Sequence, residues 1–323
     1  MLEDAATMRD AAPPPADATG TRPPERGSSS ALSPALARGF GLLVVATTGL
    51  IVLGALVRAH EAGLACPDWP LCFGEVVPRF DLRIAFEWGH RVVAGTISLA
   101  FLGLTIATLR HPEGSRARPY LAAAGSLLAL QILLGALTVW QLLAAWTVTS
   151  HLVVGNSFNV SLLLVALTLA RGSSRVAVPD RVLHLALLSA VLLGAQMVVG
   201  GLVSSTFSGL ACPEWPTCNG GQWFPSWSGS VGLHVLHRLN GYTLLLALGV
   251  LAFSARGIPR VGMLTGAAFL LGALQVVVGI SNVLLGIPVE VTAMHSLLAA
   301  LLILTIAATL HTAFERKLGD ARV

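Results

Sequence analysis

Gly63-Leu64-Ala65-Cys66-Pro67-Asp68-Trp69-Pro70-Leu71-Cys72, followed by Glu87-Trp88-Gly89-His90-Arg91, is written a second time further along the chain. The second copy reads Gly209-Leu210-Ala211-Cys212-Pro213-Glu214-Trp215-Pro216-Thr217-Cys218, then His234-Val235-Leu236-His237-Arg238. Each copy leads into a further apolar stretch with a lone histidine, His151 in the first and His295 in the second. A duplicated unit with two helix-borne histidines per copy predicts two similar metal or cofactor sites.

The composition names the solvent. Of 323 residues 54% are apolar and only 11% charged, far from the balance of a water-soluble domain. Crossing about 30 Å of hydrocarbon takes roughly 20 apolar residues as helix. Such stretches run over 37–57, 88–109, 120–140, 147–170, 182–203, 231–254, 261–283 and 290–312. Backbone groups in lipid must be satisfied within a segment, so these are helices. The expected fold is an all-α integral membrane protein, its eight transmembrane helices forming two tandem four-helix bundles related by pseudo-twofold symmetry. Residues 36–172 form the N-terminal half and 173–313 the C-terminal half. Residues 1–35, rich in Ala, Pro, Ser and Gly, are expected to be a disordered tail, and 314–323 a C-terminal tail. Charge this sparse gives no reason to expect a nucleic-acid partner.

Orientation follows from the basic residues, which favour the cytoplasmic side of helix ends. Arginines gather in the N-terminal tail, at 110–118, at 171–181, at 256–260 and at the C-terminus, whereas the alternate loops hold only Arg58, Arg79 and Arg83. Both termini are therefore expected in the cytoplasm and both cysteine loops outside the cell membrane, where disulfides persist. Four cysteines allow three connectivities, and the tight Cys-x5-Cys spacing favours Cys66 with Cys72 and Cys212 with Cys218. Closing so small a loop is worth only about 2 kcal/mol, so its purpose is to hold a loop shape; a redox relay to a buried centre is the competing use. Zinc is disfavoured, because no histidine or third cysteine completes either loop at ligand spacing.

Topology sorts the nine histidines. His111, His184 and His311 fall at cytoplasmic ends and His60 in the first outer loop, where each is expected to be solvated or interfacial. His90, His151, His237 and His295 instead lie a few residues into four helices from their outer ends, at one common depth. Imidazole is costly to bury unpaired in a membrane and is a strong axial ligand for haem iron. Paired as His90 with His151 and His237 with His295, they offer one porphyrin site per half. Arg91 and Arg238 follow at the outer ends, where a guanidinium either binds propionates or snorkels to the interface.

The halves differ at one telling position. Glu87 stands three residues before His90, on the same helix face, and its counterpart is His234. A carboxylate there is a candidate for proton transfer or cation stabilisation; a glutamate favoured by the helix dipole is the competing explanation. The first half thus looks reactive and the second electron-carrying. Gln-x-x-x-Gly recurs at Gln131 and Gly135, Gln196 and Gly200, and Gln275 and Gly279, a pattern that suits close helix packing, with quinone contact as the alternative.

From about residue 37 to 312 the chain resembles the haem A synthase family, eight-helix membrane enzymes that convert haem O to haem A. The resemblance rests on Glu87-x-x-His90-Arg91, His151, His234-x-x-His237-Arg238, His295 and the two cysteine pairs. It implies oxidation of a porphyrin methyl group to a formyl group by successive oxygen-dependent hydroxylation and loss of water. It further implies substrate haem held by His90 and His151 with Glu87 catalytic, and a haem b held by His237 and His295 feeding electrons, His234 lying on the ligand face. Implied partners are haem O, molecular oxygen or water, membrane lipid, the haem O synthase (protohaem farnesyltransferase) and a quinol or other electron donor. Two other readings use the same four histidines: a di-haem b cytochrome for quinol-linked electron transfer, and a haem-handling membrane transporter or chaperone. Mass mapping without reduction is expected to find each cysteine pair linked within its own loop; free thiols or cross-loop links would refute the stapled loops.

Overall fold

The computed structural model describes residues 29–170 and 178–320. Among them eight helices are long and apolar enough to cross a membrane: α1 (Ser29–Ala59), α2 (Leu82–Arg110), α3 (Arg118–Trp140), α4 (Ala145–Ala170), α5 (Asp180–Ser205), α6 (Gly229–Ala255), α7 (Val261–Leu284) and α8 (Val289–Asp320). Every expected span falls inside one of them. The ends are corrected by local chemistry. The Asp81 side chain accepts from the backbone N–H groups of Arg83 and Ile84, a cap that starts α2 at Leu82, six residues ahead of the apolar run. Helix α1 begins at Ser29 and α8 continues to Asp320, so the inner parts of both expected tails are helical. The rest of those tails, 1–28 and 321–323, lies outside the described residues.

Hydrophobic burial cannot drive helix association in lipid, so packing and a few polar contacts must. In the first half α1 lies against α2 and α4, and α3 against α4; in the second α5 lies against α6 and α8, and α7 against both α6 and α8. The halves meet where α8 touches α1 and α4, and where α4 touches α5. Helices α4 and α8 are accordingly the inner ones, 50% and 44% buried along their spans, against 17% for α2 and α7. Phe40, Phe101, Phe158 and Leu162 centre one core cluster, and Val182, Leu248, Leu251 and Val261 a second. Buried polar pairs fix the seams: Asn159 Nδ2 donates to Thr48 Oγ1 at 2.9 Å, and Thr149 and Ser205 hydroxyls meet at 3.1 Å. Each such bond is worth about 0.6–2 kcal/mol in a bilayer. At the cysteine end Arg58 donates to the Ser204 carbonyl at 2.6 Å and lies 4.0 Å over the Phe207 ring, tying α1 to the end of α5.

Both disulfides close within their own loops, Cys66 with Cys72 and Cys212 with Cys218. The acidic residue two places after the first cysteine organises each loop. Asp68 accepts from the N–H groups of Phe73 and Gly74, and Glu214 from those of Gly220 and Gly221 and from the Thr217 hydroxyl. Gly74, Gly220 and Gly221 have positive φ, which glycine adopts without the Cβ clash. These bonds favour the ionised form, and they hold both carboxylates below their usual range, through Gly74 for Asp68 and Gly221 for Glu214 first. A lowered carboxylate pKa contributes order that is present above the unfolded value, about 4, and is lost only as pH falls through the lowered one. Amide exchange at Gly74 and Gly221 is therefore expected to stay protected at pH 4 in the natural chain and to be fast there in Asp68→Ala and Glu214→Ala.

Candidate functional site

His90 and His237 are each the ninth residue of their helices, and His151 and His295 each the seventh. At about 1.5 Å per residue the four rings sit roughly 9–12 Å from the helix starts. Each ring is half-buried and leans on a glycine of the preceding helix. A Cβ placed on Gly54, Gly135, Gly200 or Gly279 would meet the Cε1 atom of His90, His151, His237 or His295 at 3.2, 3.4, 3.0 and 3.0 Å. The same device thus occurs four times, in α1–α2, α3–α4, α5–α6 and α7–α8. It lets an imidazole edge lie directly on a neighbouring backbone, most tightly at Gly200 and Gly279.

The Gln-x-x-x-Gly pattern now has a cause. Its glycines receive imidazoles, and two of its glutamines touch them. Gln131 Nε2 lies 3.2 Å from His151 Nε2, and Gln196 Nε2 lies 3.2 Å from His237 Nδ1 while donating to the His237 carbonyl. Asn240 fixes Gln196 by donating to its Oε1 at 2.7 Å. The fourth cradle, Gly54, was not visible in that pattern, because the residue four places before it is Leu50.

Glu87 is buried, and both its oxygens are engaged. Oε1 accepts from Arg91 Nη2 at 2.6 Å and Oε2 from the Cys66 N–H at 2.8 Å. Helix α2 starts at Leu82, which puts Glu87 beyond the first turn, so the helix dipole does not account for it. Arg91 does not snorkel: its two terminal nitrogens also donate to the carbonyls of Cys66, Asp68 and Leu71. One ion pair therefore couples the first cysteine loop to the helix that carries His90. In the second half Arg238 likewise holds the Cys212 and Thr217 carbonyls. His234, buried in place of Glu87, contacts the Ser208 carbonyl through Nδ1 at 3.0 Å.

Geometry gathers the predicted residues at the cysteine end. His90 and His151 are carried by α2 and α4, which both pack on α1, and His237 and His295 by α6 and α8, which both pack on α5 and α7. Of the remaining histidines His60 lies at the same end and the other three at the opposite end, with one correction. His111 caps α2 and is buried, not solvated, whereas His184 is exposed. His60 stacks on Phe86 and His311 lies edge-on to Tyr120. Among the described residues no three His, Cys, Asp or Glu side chains converge as a protein-only metal site requires. The imidazoles come in twos, the number that an iron porphyrin takes as axial ligands. Nδ1 of His90, His151 and His295 is buried without a hydrogen-bond partner. Each of these nitrogens is turned toward the cradling glycine, which leaves Nε2 as the ring nitrogen for an axial bond to iron. One difference between halves bears on entry: α6 packs along α7, but α2 barely touches α3.

Comparison with known proteins gives a consistent assignment. The family described as Cytochrome oxidase assembly protein matches residues 39–85 and 80–307. The Heme A synthase of Shewanella oneidensis is 29% identical, with 87% of this chain and 98% of that protein covered. The Heme A synthase of Halalkalibacterium halodurans is 32% identical over 83% of this chain and 93% of its own length. A shorter match, 32% identical over 36% of this chain and 26% of the other, is to the Protoheme IX farnesyltransferase of Halobacterium salinarum.

Alanine at Gly200 or Gly279 would meet the imidazole at 3.0 Å, so the ring must give by a few tenths of an ångström. Gly279→Ala and Gly200→Ala are expected to lower haem retention during purification at least tenfold, read from the pyridine haemochrome per chain. Gly266→Ala, in open space on the same helix as Gly279, is the control and should retain it.

Proposed function

The chain belongs to the haem A synthase family of cytochrome oxidase assembly proteins and is accordingly a multi-pass membrane oxidoreductase; we propose that it oxidises one methyl group of haem O to a formyl group by successive hydroxylation and loss of water. In this reading residues 36–172 hold the substrate through His90 and His151, and residues 173–313 hold a haem b through His237 and His295. The bound haem b supplies reversible one-electron chemistry. Everything else is the protein's contribution.

The glycine cradles orient the imidazoles, and Gln131 and Gln196 limit their rotation. Glu87, held from both sides by Arg91 and the Cys66 N–H, presents a fixed carboxylate one turn before His90, suited to take a proton or stabilise positive charge developing at the methyl carbon. Arg238 uses only one N–H on each terminal nitrogen for its loop, leaving donors of its five for a propionate; Arg91 carries the matching charge in the first half. His234 supports the second-half site from the ligand face. The loose α2–α3 contact suits lateral arrival of a farnesylated substrate from lipid, handed on by a protohaem farnesyltransferase. With molecular oxygen as the oxygen source, a quinol or another donor supplies two electrons per hydroxylation and the second oxygen atom leaves as water; with water as the source, two electrons per step leave instead to an acceptor. Both termini face the cytoplasm and both cysteine loops the outside, as the arginine distribution predicts.

The observation that carries the reading is the unequal pair of equivalents: one cradle design in both halves, with Glu87 in the first where the second has His234. A di-haem cytochrome would use the four imidazoles equally well but has no need of that carboxylate. Glu87→Gln is expected to keep its haem content while haem A formation falls by about 10²–10⁴-fold, measured by extraction and chromatography of haems. Normal conversion would sink the role. His237→Ala and His295→Ala are expected to abolish the low-spin haem b absorption, and its persistence would overturn that assignment.

A further inference from the structure

Away from the four rings, a groove of about 630 Å³ runs along α6, walled by Tyr242, Gly249, Phe253 and Ser254 of that helix, Phe269 of α7 and Arg181 of α5. From Tyr242 to Ser254 it extends roughly 18 Å at about 1.5 Å per residue, close to half of a bilayer's hydrocarbon thickness, about 15 Å. Its middle is narrow in section because Gly249 carries no side chain: a Cβ there would meet the Phe269 ring at 3.3 Å. One end is tied to the second cysteine loop, where Trp215 Nε1 donates to the Tyr242 hydroxyl at 3.1 Å.

The other end is cationic. Arg181 lines it, Arg256 lies 3.7 Å over the Phe253 ring, and the loop from Arg256 to Arg260 contains no acidic residue. Asp180, beside Arg181 in the chain, has contacts of its own. Among the described residues neither arginine is ion-paired, the salt bridge there being that of Arg91 with Glu87. Ser254 Oγ, in the groove wall, is buried without a hydrogen-bond partner, although Thr243 on the same helix bonds back to the Leu239 carbonyl. The first half has no equivalent. Counted from the matching cradles and rings, Gly95 stands for Tyr242, Gly125 for Phe269 and Ala35 for Arg181, and a Cβ on Gly95 or Gly125 meets nothing.

We propose that this groove binds one anionic phospholipid, an acyl chain lying along Gly249 between Phe253 and Phe269 and the phosphate held by Arg181 and Arg256, with the Ser254 hydroxyl as a further donor. Guanidinium and phosphate form paired, charge-assisted hydrogen bonds, and basic recesses between transmembrane helices recognise anionic head groups. The apolar slot, one leaflet deep, takes the chain that a free anion lacks. A neutral lipid or a quinol fills the slot but leaves the two cations unused. Seated there, the lipid braces α6, the helix of His237, against α5 and α7. The site rests on the groove alone, whatever the imidazoles bind.

Native mass spectrometry of the full-length chain in mild detergent, offered phosphatidylglycerol or phosphatidylcholine of the same acyl chains, tests this. The natural chain is expected to retain one phosphatidylglycerol, with a preference over phosphatidylcholine of about tenfold or more. Arg181→Gln combined with Arg256→Gln should remove that preference. Arg110→Gln combined with Arg118→Gln, which takes the same charge from exposed positions of the first half, should leave it intact. Gly249→Leu fills the slot with both arginines in place and should lose the lipid. Equal retention of phosphatidylcholine, equal loss in the first-half control pair, or displacement by inorganic phosphate would overturn the proposal. A long-chain quinol that displaces the lipid would make this a quinol groove and overturn it too. Should Gly249→Leu not fold, the two arginine pairs decide alone.

Discussion

The imidazole lying on a glycine is the contact from which the rest of this structure takes its shape. A histidine at membrane depth must find partners within the protein, and a Cβ at the crossing would crowd its ring, to 3.0 Å in the second half. Gly54, Gly135, Gly200 and Gly279 remove that Cβ. Each helix pair then closes around one ring, and the ring's plane follows from the crossing of the helices. The cores at the opposite end, around Phe40 and Leu248, are ordinary close packing and set the crossing that the cradles require.

The cysteine loops belong to the same construction. A disulfide and an acidic cap shape each loop from within, and an arginine from the following helix holds it from below. In the first half the arginine is shared with Glu87, so that loop, carboxylate and His90 helix form one rigid unit. In the second half His234 replaces the carboxylate and takes a carbonyl as its partner. The same scaffold therefore presents a carboxylate beside one pair of rings and an imidazole beside the other.

Much of this was legible in the residues. The eight spans follow from apolar length, the four imidazoles from their repeated depth, and the disulfides from their spacing, because each depends on distance along the chain. What escaped depends on distance across it. Gly54 hid because Leu50 breaks the glutamine pattern, and the pattern itself read as helix packing because nothing local says that an imidazole lies opposite. Arg91 offered two plausible roles and took a third, since its loop partners are backbone carbonyls, which every residue has. Helix α2 extends past the apolar run because a cap at Asp81 outweighs the polarity of Arg83, and buried His111 shows that nearness to a helix end does not fix exposure.

Helices α4 and α8 each carry one ring of a different pair, and they touch. The inner helix of one half is therefore packed on the inner helix of the other, and the two halves, although their motifs are duplicated in sequence, are not interchangeable modules. Chimeras assembled from different members of the family would inherit a mismatched seam unless Thr149, Ser205 and the facing surfaces of α4, α5 and α8 travelled together.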